Sequence, residues 1–288
     1  MSTDNSSVVT KRTPICPGWC ALLITLNRPE KQNCFNTDVC NRLAQIFYEV
    51  AEEVQGYDNK AKSCEDEGRL LAAVILTGAG KSFCAGADLA DPPNPLHQSS
   101  DLPHHLRFNP VYQMSRVGVP IIGALRGHVI TGGFELALAC DIIIGSNTTS
   151  FRDTHVKFGL APCWGLSQKL AQRIGTGRAK IVSFSAQPLS AEKAYEWGLL
   201  DELVDGDADV LHRAIEISAK IALNDNLMVR RYKRAMVEGA SMTLQSGLQR
   251  ERELGLAHYL EIVGDGKTFE GMNEFISDNN RPRAQSKM

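Results

Sequence analysis

Apolar residues fall along this chain in short unbroken runs closed by glycine, proline or asparagine, a rhythm that predicts buried strands followed by turns. "CALLITLNRP" (20–29) is such a run, closed by Asn27 and Pro29. In "NTDVCNRLAQIFYEVAEEV" (36–54) the spacing changes to that of an amphipathic helix, with Thr37 or Asp38 as its N-cap. A charged loop, "QGYDNKAKSCEDEG" (55–68), precedes a second buried strand, "RLLAAVILTGAG" (69–80). Residues 91–105 hold Pro92, Pro93, Pro95 and Pro103 and predict a long irregular connection. "GVPIIGALRG" (118–127) is another strand, Gly132 opens a short helix, and "DIIIGS" (141–146) is a strand again. From "LSAEKAYEWGLL" (189–200), with Ser190 as N-cap and Gly198 past the end, the period is helical. Further helices are expected at 208–223, 225–239, 242–260 and 267–277. Repeated strand–turn–helix units followed by helices predict an α/β core over residues 11–200 and a helical region over 201–288. A disordered tail is expected over residues 1–10.

Composition narrows the function. The 288 residues are 43% hydrophobic and 22% charged, ordinary for a globular chain, and the net charge of −2 leaves no basic footprint for nucleic acid. No apolar run approaches the roughly 18 residues that span a bilayer, so no membrane partner is expected. The eight cysteines include no CxxC pair; "CPGWC" (16–20) lacks a second ligand pair, so no metal site is expected.

One carboxylate stands out. In "HVITGGFELALACDI" (128–142), Glu135 follows Gly132 and Gly133 inside an otherwise small and apolar run. Upstream, Gly80-Lys81-Ser82 suggests a phosphate loop. That pattern needs glycine where Ile75 stands and a helix from the lysine, so it is discarded. Two turns remain, Ala85-Gly86-Ala87-Asp88 and Thr131-Gly132-Gly133, each following a buried strand. Small residues let a ligand approach main-chain N–H groups, and two such turns together would make an oxyanion hole.

"AVILTGAGKSFCAGADL", "PIIGALRGHVITGGFELALACDIIIGSNTTSF" and "ITLNRPEKQN" closely resemble signatures of the crotonase superfamily, most nearly its enoyl-CoA hydratases. The resemblance is strong from Ile24 to Gly177 and weaker beyond. It implies a spiral of ββα repeats with a C-terminal α-helical trimerisation region, and a homotrimer or dimer of trimers. It also implies an acyl-CoA thioester as substrate, with coenzyme A part of the substrate and no further cofactor. The thioester oxygen would sit between the N–H groups of Ala87 and Gly132, donors typically worth roughly 3–4 kcal/mol each toward the enolate. Contacts to the acyl-CoA are expected from main chain near Lys31, from Ala85 and Asp88, from Trp164 as a pocket wall, and from Phe275. The family's lysine against the 3′-phosphate aligns with Asp278, so that contact is lost; Arg281 and Arg283 either substitute or, the favoured reading, sit on a solvated tail.

Hydratases of the family use two glutamates. Glu135 matches the first, with Thr131 in place of the first glycine of its triplet. The second motif reads Phe151-Arg152-Asp153-Thr154-His155, so His155 stands where the second glutamate is expected. Glu135 would be the base for water. The acid could be His155, Asp153 or the water itself, while His155 could instead line the pocket. The implied activity is hydration of a trans-2-enoyl-CoA in fatty-acid β-oxidation. Another crotonase-type reaction (isomerase or decarboxylase) and a catalytically weak acyl-CoA-binding subunit are the alternatives, since one scaffold hosts many activities. Ser286-Lys287-Met288 differs from a peroxisomal SKL address by one residue, so an import receptor and a peroxisome or glycosome-like organelle are expected; an unread tail would leave the chain in the cytoplasm.

Overall fold

Each apolar run becomes a strand buried on both faces. Strand β1 (Val8–Cys16) pairs antiparallel with β2 (Trp19–Leu26). Parallel to it follow β3 (Leu70–Gly78), β4 (Ile121–Leu125), β6 (Ile142–Ser146) and β9 (Glu202–Val204), giving a six-stranded sheet in the order β1-β2-β3-β4-β6-β9. The computed structural model describes residues 6–57, 70–93 and 107–264. Side chains alternate across the sheet. Val74 and Leu76 of β3 join the core against helix α1 (Thr37–Gly56), whereas Ile75 faces a second cluster with Val210 and Ala214. Those two belong to helix α8 (Asp207–Ala222), which covers the opposite face. Parallel strands need both faces covered, which explains why β3 is apolar from Leu70 to Leu76 instead of alternating.

A smaller sheet sets up the chemistry. Strand β5 (His128–Ile130) runs parallel to β7 (Ser150–Arg152), with His128 opposite Ser150 and Ile130 opposite Arg152, and β8 (Leu189–Ser190) closes the far edge. Because β5 and β7 are parallel neighbours in register, the residues that follow them leave the same end of the sheet side by side. These are Thr131-Gly132 and Asp153-Thr154-His155, remote in sequence yet adjacent in space.

Between these strands lie short helices: α2 (Pro110–Arg116), α3 (Gly132–Leu138), α4 (His155–Phe158), α5 (Leu166–Ile174), α6 (Thr176–Ser185) and α7 (Ala191–Glu196). Ser190 caps α7 by accepting the Lys193 N–H, as its position predicts. Two expectations need correction. The N-cap of α1 is Asn36, whose extended backbone lets its side-chain oxygen accept the Val39 N–H at 3.1 Å. Residues 8–10 are not tail: they pair with β2, and Val8 is 2% exposed in the core, where it hides apolar surface.

The chain divides into two compact units, residues 1–230 and 231–288. The first holds both sheets and α8, so the helical period beginning near residue 200 does not mark the end of the sheet-bearing unit. The described part of the second belongs to helices α9 (Asn226–Ala240) and α10 (Leu244–Gly264), tied by Arg231 to His258 and Glu261 and by Arg250 to Glu238. No helix among the described residues is long and apolar enough to cross a membrane. The expected helix at 267–277, Phe275, and the Ser286-Lys287-Met288 tail lie outside the described residues, as do Asp278, Arg281 and Arg283.

Candidate active site

The two small-residue turns are stitched together by main chain. Phe35 donates its N–H to Gly86 O at 2.9 Å and accepts from Asp88 N at 2.8 Å, which pairs it with Ala87. Ile130 donates to Cys84 O at 3.0 Å. Gly86 adopts φ +95°, and a β-carbon there would sit 2.9 Å from Ile130 O. The Phe35 ring then covers Gly132, where a β-carbon would lie 2.4 Å from Phe35 Cζ. Only glycine tolerates that approach. Among the described residues, the N–H groups of Ala87 and Gly132 donate to no other protein group. Ala85 instead spends its N–H on Gln32 O at 3.0 Å.

Glu135 is 3% exposed on α3. Its Oε1 accepts the main-chain N–H of Trp164 at 2.8 Å and of Leu166 at 3.3 Å, which fixes the carboxylate and leaves Oε2 directed elsewhere. Oε2 lies 3.9 Å from His155 Nε2. That exceeds hydrogen-bond length, so a reacting oxygen lying beside the pair can contact both. On the far side of the ring, Nδ1 is 2.7 Å from Asp153 Oδ1, and the same oxygen accepts the His155 main-chain N–H at 3.0 Å. Ser183 on α6 also hydrogen-bonds Asp153. With Nδ1–H given to a carboxylate, Nε2 is the nitrogen free to exchange a proton.

Electrostatics follow from this geometry. Burial raises the Glu135 pKa, more than the Trp164 and Leu166 N–H groups and the nearby imidazole lower it. Burial alone would lower His155, but the hydrogen bond and charge of Asp153, with the charge of Glu135, raise it above its ordinary value. Asp153 also resists its own desolvation: hydrogen bonds from the His155 ring, the His155 N–H and Ser183 hold it below the usual carboxylate range. The result is a buried carboxylate–imidazole–carboxylate row in which burial favours the protonated form of Glu135, Asp153 favours the protonated form of His155, and Asp153 itself is held ionised.

The structure thus gathers Ala87, Gly132, Glu135, Asp153, His155 and Trp164. Trp164 is partly buried, and its ring stands 5.1 Å from that of Phe35 at a 32° tilt. Main chain near Lys31 is the expected acyl-CoA contact, and the Lys31 side chain is engaged within the protein. Its Nζ pairs with Asp88 at 2.9 Å, as does Arg28 Nη2 at 2.9 Å, and the two cations hold the Asp88 carboxyl down to about 2. Asp88 therefore pins the 28–35 loop beside the Ala87 turn. Sequence reasoning missed Phe35, Arg28 and Ser183. The spacing from Arg28 to Asp88 carries no local signal, and Phe35 sits in the polar stretch "QNCFN".

Thr131 opens the Gly132 turn. It adopts φ +50°, ψ −107°, a region foreign to β-branched residues and costing about 1–3 kcal/mol. Its hydroxyl accepts the Thr154 N–H at 3.1 Å and is hydrogen-bonded to the Thr154 hydroxyl.

Comparison with known proteins places the chain in a family and supports the fold. The family model described as "Enoyl-CoA hydratase/isomerase" matches residues 20–280. The chain is 36% identical over 266 residues to "Probable enoyl-CoA hydratase 1, peroxisomal" of Arabidopsis thaliana, covering 92% of each. It is 31% identical over 233 residues to the "Short-chain-enoyl-CoA hydratase" of Clostridium acetobutylicum, covering 80% of this chain and 83% of that protein. Among solved structures, the enoyl-CoA hydratase of Bacillus anthracis superposes with a TM-score of 0.77 at 28% identity, covering 98% of this chain and 100% of the other.

Proposed function

The chain belongs to the enoyl-CoA hydratase/isomerase family, and on that premise we propose that it adds water across the trans-2 double bond of an enoyl-CoA, with Glu135 and His155 as base and acid. The observation carrying this reading is the Glu135 Oε2–His155 Nε2 separation of 3.9 Å beside a turn with a free main-chain donor. The chemistry is that of an enoyl-CoA hydratase-like enzyme.

In this reading the thioester oxygen lies between the N–H groups of Ala87 and Gly132. Water gives a proton to Glu135 Oε2 while its oxygen bonds to C3. The C2=C3 electron pair then forms the enolate, whose negative charge the two N–H donors stabilise. The enolate takes a proton at C2 from His155 Nε2, and the thioester carbonyl is restored. Glu135 passes its acquired proton to His155, so the net change is addition of H and OH. Asp153 holds Nδ1–H throughout and stabilises the imidazolium, while remaining ionised. The raised His155 value suits its part as proton donor, and the raised Glu135 value suits its part in taking a proton from water.

Two further parts of the reading rest on other residues. Helices α9 and α10 expose Tyr232, Met236, Leu256 and Leu260, each more than half accessible, which supports self-association into a trimer or dimer of trimers. The Ser286-Lys287-Met288 ending, with a relative named as peroxisomal, supports peroxisomal import.

The test is loss of the conjugated-thioester absorbance with crotonyl-CoA and with a longer trans-2-enoyl-CoA. Wild type is expected to hydrate at least one, and His155→Ala to lose about 10²–10⁴-fold in kcat. No turnover at any chain length overturns hydration and leaves the acyl-CoA-binding subunit. Turnover of a 3-enoyl-CoA alone points to isomerisation.

A further inference from the structure

The turn that carries the Gly132 donor is fastened to the segment that carries the acid by one side chain. Thr131 donates its N–H to Arg152 O at 2.8 Å, extending the β5–β7 pairing by one step. Its hydroxyl then accepts the N–H of Thr154 at 3.1 Å and shares a hydrogen bond with the Thr154 hydroxyl. Thr154 immediately precedes His155 and is buried at 8% exposed, while Thr131 is half-buried. Meanwhile Thr131 O accepts the Glu135 N–H at 3.0 Å, the first hydrogen bond of α3. One residue therefore touches the oxyanion donor's turn, the base's helix and the acid's neighbour.

Conformation makes the choice of threonine informative. Among the described residues, four non-glycine positions have positive φ: Gln32, Asn33, Thr131 and Ala186. Gln32 and Ala186 lie in the left-handed helical well, whereas Thr131, at ψ −107°, is outside it. Glycine would take this backbone without strain. What threonine adds at that cost is the hydroxyl, and the hydroxyl is fully used in bridging to Thr154.

We propose that Thr131 is a positioning residue that sets the distance between the Gly132 N–H and the His155 ring. This inference rests on the hydration reading above. The donor binds the thioester oxygen and the acid protonates C2, two atoms separated by one carbon, so an error in the relative placement of their turns misaligns both contacts at once. A misplacement of about 1 Å in a catalytic frame costs on the order of 10²-fold in rate.

Thr131→Gly removes the clasp and the strain together, and Thr131→Ser keeps the hydroxyl. The expected result is a kcat for Thr131→Gly lowered roughly 10- to 100-fold with KM changed by less than about threefold. Its thermal midpoint should stay close to wild type, because the lost hydrogen bonds are offset by relieved strain. Thr131→Ser should recover most of the rate. Thr154→Val, which loses the hydroxyl contact but keeps its N–H bond to the Thr131 hydroxyl, should be slowed less than Thr131→Gly, and the double variant should be no slower than Thr131→Gly, since its clasp is already gone. Imidazole signals of His155, followed by NMR through a pH titration, should shift in Thr131→Gly and return in Thr131→Ser. Wild-type kcat in Thr131→Gly, or Thr131→Ser as slow as Thr131→Gly, overturns the proposal. If wild type itself hydrates no enoyl-CoA, the functional reading fails instead. The clasp is then judged on the His155 signals, and unchanged signals in Thr131→Gly refute it.

Discussion

Replacing Glu135 with glutamine separates the base from its surroundings. Glutamine has nearly the same volume, and its amide oxygen can still accept from Trp164 N and Leu166 N, the 2.8 and 3.3 Å contacts that orient the native side chain. The frame of α3 and the loop before α5 should therefore persist. What disappears is the ability to take a proton from water. A positioned general base contributes about 10²–10⁴-fold, or about 3–5 kcal/mol of barrier, so kcat for crotonyl-CoA should fall by that factor.

Stability should move in the opposite direction. Burial raises the Glu135 pKa, so the folded chain holds this proton more tightly than the unfolded chain does. The contribution of this group is thus fully present below the unfolded value of about 4.3 and is lost as pH rises through the folded one. Glutamine does not titrate. The stability difference, variant minus wild type, should increase as pH rises from about 4.3 through the raised folded value, by up to about 1.4 kcal/mol for each unit of upward shift. Thermal unfolding across that range, beside the absorbance assay, checks the pair of claims. A variant within about tenfold of wild-type kcat refutes the base assignment. A stability difference that is flat or declining with pH refutes the account of the buried carboxylate.

Three other substitutions probe the same geometry. Asp153→Asn removes the hydrogen-bonded charge that raises His155, so the alkaline limb of the kcat profile should move to lower pH; an unmoved limb rules out Asp153 as the group that poises the acid. The same variant should lose less stability on acidification below about pH 4 than wild type, because the depressed Asp153 pKa gives stability that is lost as pH falls through it. Gly132→Ala would drive a β-carbon to 2.4 Å from Phe35 Cζ, and such overpacking costs about 1–3 kcal/mol. A lowered Tm with kcat down about 10²-fold is expected, and wild-type values for both would refute the close approach. Asp88→Asn should lower the urea midpoint at neutral pH, since Lys31 and Arg28 lose their shared partner. That deficit should shrink as wild-type Asp88 itself protonates toward about 2, and a pH-independent deficit would count against the ion pairs as its cause.

Much of the frame was legible in one dimension. Runs such as "AAVIL" and "DIIIG" are too apolar for a one-sided strand, and they do become parallel strands covered on both faces. Ser190 before a helical period reads directly as a cap, because capping depends on atoms three residues apart. Several short elements escaped notice: β5, β7 and β9 have three residues each, too few for a period to show, and their place is decided by neighbours. The four-residue helix α4 is equally silent.

The candidate site divides along the same line. Glu135 announces itself as a lone carboxylate among small and apolar residues, and the two glycine-bearing turns are visible as strand endings. These are local facts about composition, so the sequence by itself determines them, along with the α/β class and the family resemblance. That His155 faces Glu135, that Asp153 holds the far nitrogen, and that Thr131 ties the two turns are decided by parallel pairing of β5 with β7, across about twenty residues of intervening chain. Register between strands distant in sequence arises from the packing of the whole core, and no local pattern encodes it. The sequence supplied a carboxylate and an unexpected histidine; the fold set them 3.9 Å apart and gave each the surroundings that raise its pKa.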